Sequence, residues 1–372
     1  MLSFGGRRRA ILAISVISLL VFPDHSLYAW DVQLRGASRV DLPTVIDGNS
    51  SAFRKEGKIR LFSSTGNPLM VSEASNQFGT WHSDEVDLTH QDHVPVWAEG
   101  SWADPSGPVL IWYHHEPGAV CEGSELTAPK IGAAISYDGG KAMFDLGIVL
   151  ESGDPIDCSA ENGFFAGGHG DFSVVLDRDR KYFYFLFTNY GGPVEQQGVA
   201  IARLAYEDRW DPVGKVQKFY EDKWEEPGLG GRVTPIFQAK TDWRRSDANS
   251  FWGPSIHFNR YLNAYVVLMN HACCEPRWPQ EGIYVSFAPD ISNPRGWVDP
   301  KKILDSSQLP EMPGYYPQVL GLGPLDTDIM AGRVARLYIH GISDWDLVFT
   351  REDSLNEPDP SKDRQAEQTE NP

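Results

Sequence analysis

Three short runs decide the fold: Phe172-Ser173-Val174-Val175-Leu176, then Tyr182-Phe183-Tyr184-Phe185-Leu186-Phe187-Thr188, then Val199-Ala200-Ile201-Ala202-Arg203. Each is aromatic or β-branched over a strand's length, and polar turn residues such as Asp177–Lys181 separate the first two, so they read as consecutive antiparallel strands. Working outward, the same pattern recurs. Strands of the second kind are predicted at Lys58–Ser63, Val109–Tyr113, Tyr261–Met269 and Ala335–His340, each preceded by a shorter strand at Ser51–Phe53, Gly100–Trp102, Pro254–Phe258 and Pro317–Leu320. A third element follows the first four copies, at Leu69–Ser72, Ala133–Ser136, Val199–Arg203 and Ile283–Phe287, and a fourth at Gly147–Glu151 and Lys302–Leu304. The unit repeats five times at roughly 50 to 80 residues, which is the signature of a radial array of four-stranded sheets. The expected fold is therefore all-β: a five-bladed β-propeller of four-stranded antiparallel blades spanning residues 30–350. The fifth copy has no clear fourth strand, and an N-terminal strand near Val32–Arg35 is expected to complete it and close the ring.

The flanks read differently. Arg7, Arg8 and Arg9 precede an apolar run from Ala10 to Phe22, and Ala29 offers a small residue for cleavage, so residues 1–29 read as a signal peptide and the protein as secreted or periplasmic. Residues 351–372 are charged and almost free of apolar side chains, which reads as a disordered acidic tail. The net charge is −18. Such a surface repels phosphate backbones, so nucleic acid is not expected as a partner, nor are polyanionic glycans, and no membrane association is expected after cleavage. A neutral saccharide ligand and a monomer are expected. Four cysteines, Cys121, Cys158, Cys273 and Cys274, allow three pairings. Cys121 with Cys158 is the expected one, leaving two neighbours able to bond to each other. No zinc spacing is present.

In a propeller, residues that precede or open the inner strands of different blades converge at one end of the channel. Those positions hold Asp47, Glu99 and Asp171 in the first three blades, and Tyr316 in the fifth. Paired carboxylates at one pocket suit glycoside hydrolysis, in which one acid protonates the leaving oxygen and another activates water or attacks the sugar. Trp97, Trp102, Trp252 and Tyr316 lie near them in sequence and are candidates for stacking on sugar faces; packing between blades is the competing role. Of the histidines His114, His115, His169, His257 and His271, His169 is the favoured candidate for a ligand or binding residue because it stands two residues before Asp171; a hydrogen-bonded structural histidine is the reading that prevails for each taken alone.

These residues carry a resemblance. The repeat pattern and its acids look like the five-bladed propeller glycosidases, namely the arabinanase and β-xylosidase family 43 of glycoside hydrolases and its invertase and levansucrase relatives. The resemblance implies Asp47 as base or nucleophile, with Gly48 in place of the common proline, and Asp171 as the residue that tunes a neighbour's pKa. It also implies a general acid before Gly-Pro in the fourth blade, where this sequence has Trp252 before Gly253-Pro254. Glu99-Gly100 is similar to that motif and is the provisional acid, with Glu281 and Glu161 as fallbacks. No cofactor is required, and a calcium-like cation in the central channel is compatible with the group. Ser136-Tyr137-Asp138-Gly139-Gly140 is similar to the structural Asp-box turn of sialidases. The expected function is thus a hydrolase of a neutral saccharide; the rival is a carbohydrate- or protein-binding propeller that has lost its acid.

Overall fold

The computed structural model describes Met1 and residues 30–309 and 314–351; the expected signal peptide and nearly all of the expected tail lie outside the described residues. Five sheets of four to six strands form the five blades; they are antiparallel except for two short parallel pairings, Ala142 with Asp87 and Phe258 with Met330, so three blades exceed the expected four strands. Their inner strands are Ala52–Lys55, Val96–Ala103, His169–Leu176, Asn249–Asn259 and Pro317–Gly321. The second strands are Lys58–Ser64, Val109–His115, Tyr182–Asn189, Ala264–Cys273 and Val334–Ile339; most of their described side chains are buried, which is why apolar residues dominate them. Among the described residues, helical structure is limited to 3-10 turns such as Tyr206–Asp208.

The fifth blade is completed by the first described strand. Trp30–Asp41 pairs antiparallel with Ile342–Arg351, Val32 standing opposite Phe349, so these two strands share one sheet. The predicted strand at Val32–Arg35 is therefore correct in place and short in extent. The strand predicted from Tyr261 starts at Ala264 instead, because Asn259 Oδ1 accepts the amides of Tyr261 and Leu262 and holds that stretch as a turn. The turn around Asp138 is as expected: Asp138 Oδ1 accepts the amides of Lys141 and Ala142 and the hydroxyl of Ser136.

The apolar cores lie between blades rather than within them. Leu110, Trp112 and Ile131 of the second blade pack on Phe172, Phe183 and Phe185 of the third. Tyr184 and Leu186 of the third meet Ile256 and Val267 of the fourth, and equivalent clusters close the remaining gaps. Each such side chain contributes about 1.5–3 kcal/mol by burial.

Side chains stitch the inner strands together. Ser51 donates to the carbonyl of Ala98 at 2.8 Å, Ser173 accepts the amide of Ile256 at 3.0 Å, and Gln318 donates to Ser50 O and accepts Ser50 N. Asn49 reaches across the axis. Its Nδ2 donates to Phe172 O at 2.8 Å and Pro254 O at 2.9 Å, which ties the first blade to the third and fourth.

Candidate active site

Two of the predicted acids sit on β-bulges. The pairing of the second blade's inner strand shifts between Ala98 and Gly100, and that of the third between Gly170 and Phe172. The extra residues are Glu99 and Asp171. A bulge re-aims a side chain out of the sheet's alternation, and here both aim at one point near the axis. Asp171 has φ of 38°, in the left-handed region that costs a non-glycine residue about 1–3 kcal/mol.

Glu99 and Asp171 are 1 % and 4 % exposed. Oε2 of Glu99 accepts the amide of Phe172 at 2.6 Å, and Oδ2 of Asp171 accepts the hydroxyl of Tyr190. Between them stands His114, at the end of the second blade's second strand. Its Nδ1 lies 3.7 Å from Oε1 of Glu99, and its Nε2 lies 3.3 Å from Oε1 of Glu116. The amide of Asp171 points at the same Nδ1 from 3.2 Å, a contact that only a nitrogen without a proton can accept. Protonation there exchanges the amide for Glu99. Burial disfavours the imidazolium, but Glu116 and Glu99 outweigh it and hold the pKa well above the ordinary histidine value. Burial pushes Asp171 up to about 7; the charge of Glu99 adds to this, while His114 and the Tyr190 hydroxyl oppose it. Glu99 is likewise raised, by burial first, against the pull of His114. Ligand atoms of Glu99, His114 and Asp171 lie within 4.8 Å of one another, so this trio is the set that would hold a cation at the axis.

Asp47 differs from both buried acids: it is exposed to solvent. The protein around it and the charge of Glu116 raise its pKa, opposed by His340, His114 and a hydrogen bond from Tyr316, and its contact with water screens part of that rise. Tyr316 remains a donor, because burial and the negative charges of Asp171, Asp47 and Glu99 hold its hydroxyl well above its ordinary value. Gly48, beside Asp47, has φ of 148°, which proline's fixed φ near −65° cannot supply. The backbone at this position is thus one that glycine adopts and proline cannot. A β-carbon at Gly48 would lie 2.7 Å from Oε1 of Glu99.

The structure thus brings together Asp47, Glu99, Asp171, Tyr316 and Trp97, whose ring centre is 5.4 Å from that of His114. Trp252 stands behind them, 3 % exposed, in an aromatic cluster with Tyr190, Trp243, Trp278, Tyr315 and Tyr316, and offers no open face to a sugar. Two candidates are elsewhere. Trp102, at the other end of its strand, packs between blades on Phe183 and Tyr206. His169 packs on Phe187 with ring centres 4.7 Å apart, and its Nδ1 faces the carbonyl of Gly168; burial lowers its pKa well below the ordinary value. The bulge after Gly170 breaks the alternation that would have put His169 beside Asp171. His114, not the favoured His169, is the histidine that stands between the two buried acids. Glu281 is engaged on the fourth blade by His271, Tyr284 and Lys302, and Glu161 lies exposed in a loop. Glu116 was not anticipated; its only signal is its adjacency to the His114-His115 pair.

The expected disulfide Cys121–Cys158 is present, and the neighbouring Cys273 and Cys274 are bonded to each other. No family model and no curated protein matches the sequence. Among solved structures 133 chains match. One described as a glycoside hydrolase has 13 % identity and a TM-score of 0.51, over 85 % of this chain and 92 % of its own. A thermostable family-43 glycoside hydrolase gives 12 % and 0.49, over 86 % of this chain and 98 % of its own. An endo-arabinase from Bacteroides thetaiotaomicron gives 11 % and 0.47, over 84 % and 95 %. At such identity the likeness is one of fold: the chain is a five-bladed propeller, an architecture it shares with the solved structure described as a glycoside hydrolase.

Proposed function

We propose that the protein is an exported glycoside hydrolase acting on a neutral saccharide at the mouth formed by Asp47, Glu116, Trp97 and Tyr316. The observation that carries this reading is the division of the acids into two layers. Glu99, His114 and Asp171 form a sealed floor, while Asp47 and the half-buried Glu116 remain open to solvent and feel each other's charge. Asp47 serves as the base, as its position suggests. Glu99 was the provisional acid, but a leaving oxygen cannot reach a carboxyl that is 1 % exposed, so Glu116 takes that role. Asp171 positions and tunes through His114. The Cys121–Cys158 bond supports secretion or a periplasmic location, since such bonds persist in oxidising compartments.

The test is turnover of aryl glycosides and plant polysaccharides by the folded protein. Asp47→Asn and Glu116→Gln should each lower kcat by about 100- to 10,000-fold. The base must be ionised, so wild-type turnover should fall as pH drops through a pKa above the ordinary aspartate value. Full activity in Glu116→Gln would return the search for an acid to Glu99. A second reading, a saccharide-binding propeller, is favoured by Trp252, which stands in a closed aromatic cluster where the family places its acid. Binding without turnover on any substrate would establish it.

A further inference from the structure

The third blade's inner strand opens at the mouth with His169, so the loop that leads into it from Leu150 reaches that end of the ring. Phe164 in this loop is 39 % exposed.

Its turn is held rigidly. Asn162 is 1 % exposed and spends its whole side chain there: Nδ2 donates to Phe165 O and Trp243 O, both at 2.8 Å, and Oδ1 accepts the amides of Phe164 at 2.7 Å and Phe165 at 2.8 Å. Phe164 O accepts the amide of Thr127 at 3.0 Å, and the Thr127 hydroxyl donates at 2.9 Å to the carbonyl of Pro117, which follows Glu116. The Cys121–Cys158 bond ties the same two loops. The Phe164 ring rests on Trp278, their centres 4.8 Å apart. Trp278 stacks in turn on Tyr190 at 5.6 Å, and the Tyr190 hydroxyl donates to Asp171. An open aromatic ring is thus fixed relative to the acids, with Trp278 and Tyr190 standing between.

A ring already ordered loses little freedom on binding, and an aromatic face suits the C–H face of a sugar. Because Trp278 and Tyr190 separate Phe164 from Asp171, a sugar resting on Phe164 is not the sugar at the acids. Glu122, Glu125 and Glu161, exposed on the same loops, disfavour an anionic chain there. We propose that Phe164 is a distal subsite for a neutral saccharide chain, which lays one sugar at the acids and a later one against this ring. The protein therefore takes an oligosaccharide in preference to a single sugar. The proposal rests on the reading of the mouth as a saccharide site, and it does not require turnover there.

The experiment is calorimetric titration of the full chain carrying Asp47→Asn, which keeps hydrolysis from competing, with neutral arabino-, xylo- and galacto-oligosaccharides of increasing length and with the parent monosaccharides. The longest member of one series should bind at least about tenfold more tightly than its monosaccharide. Adding Phe164→Ala should remove most of that gain and leave the monosaccharide affinity unchanged, while Phe164→Trp should preserve the gain. Phe164 is partly exposed and its turn is held by Asn162, so the alanine variant should melt close to its parent. A length-dependent gain that survives Phe164→Ala overturns the proposal, as does the absence of binding in every series. A wild-type dimer that Phe164→Ala dissociates overturns it too, by assigning the ring to self-association. The hydrolase reading is separable: gain lost in Phe164→Ala with no turnover by wild type keeps the subsite and removes the enzyme, whereas long-chain turnover that ignores Phe164→Ala keeps the enzyme and removes the subsite.

Discussion

The backbone amide of Phe172 donates to Oε2 of Glu99 at 2.6 Å, fastening the inner strand of the third blade to a buried acid of the second, 73 residues earlier. The other oxygen of that carboxylate faces His114, so one side chain both joins two blades and sets the charge of the floor.

Glu99→Gln keeps an acceptor for Phe172 but removes the charge that favours the imidazolium. The pKa of His114, followed by NMR of its ring nitrogens, should fall toward the ordinary histidine range, and unfolding free energy should drop by about 1.5–3 kcal/mol. An unmoved His114 titration would assign its shift to Glu116 alone.

Gly48→Ala should destabilise the protein by about 1–3 kcal/mol, because alanine is strained at a φ of 148° and its methyl group would collide with Glu99. Denaturant unfolding measures this. Gly57→Ala, also at positive φ but with nothing near the added carbon, is the control that isolates the collision.

His257 is buried against Phe349 on the seam between the fourth and fifth blades, and burial depresses its pKa to about 3. A depressed pKa means that the folded state resists the proton. The stability that goes with the neutral ring is complete above the unfolded value of about 6.5 and is lost as pH falls toward 3. His257→Leu should therefore lose less melting temperature than wild type between about pH 7 and pH 4. Parallel curves for the two proteins would sink this assignment.

The Cys121–Cys158 bond closes a loop with a separation of 37 residues beside the mouth. Replacing both cysteines by serine should cost about 3–4 kcal/mol through the freed unfolded chain. A loss below about 1 kcal/mol would show that the contacts of Thr127 with Phe164 and Ala166 hold the loop unaided.

The ring was legible because its evidence is local. A second strand buried on both faces, such as Tyr182–Asn189, announces itself as an apolar run whatever surrounds it. The convergence of Asp47, Glu99 and Asp171 followed from the same logic, since each precedes or opens an inner strand. What escaped depends on register. That Glu99 and Asp171 are the extra residues of two bulges, and that His169 consequently faces Phe187 while His114 takes the centre, is fixed by pairings between strands and leaves no mark on composition. The exposure difference between Asp47 and Glu99, on which their proposed roles rest, goes with Gly48 and Phe172 packing against the latter, contacts between blades that spacing alone does not encode.

The sheet shared by Trp30–Asp41 and Ile342–Arg351 also governs when the molecule is finished. Synthesis proceeds from the amino end, so the opening strand is made first yet has no partner until almost the last described residue has been added. The blades between can assemble in turn, but the circle is latched only once the entire chain is free. Any nascent or clipped form lacking residues 342–351 carries two unsatisfied sheet edges, one on strand 30–41 and one on strand 334–339, and is open to joining a neighbour instead.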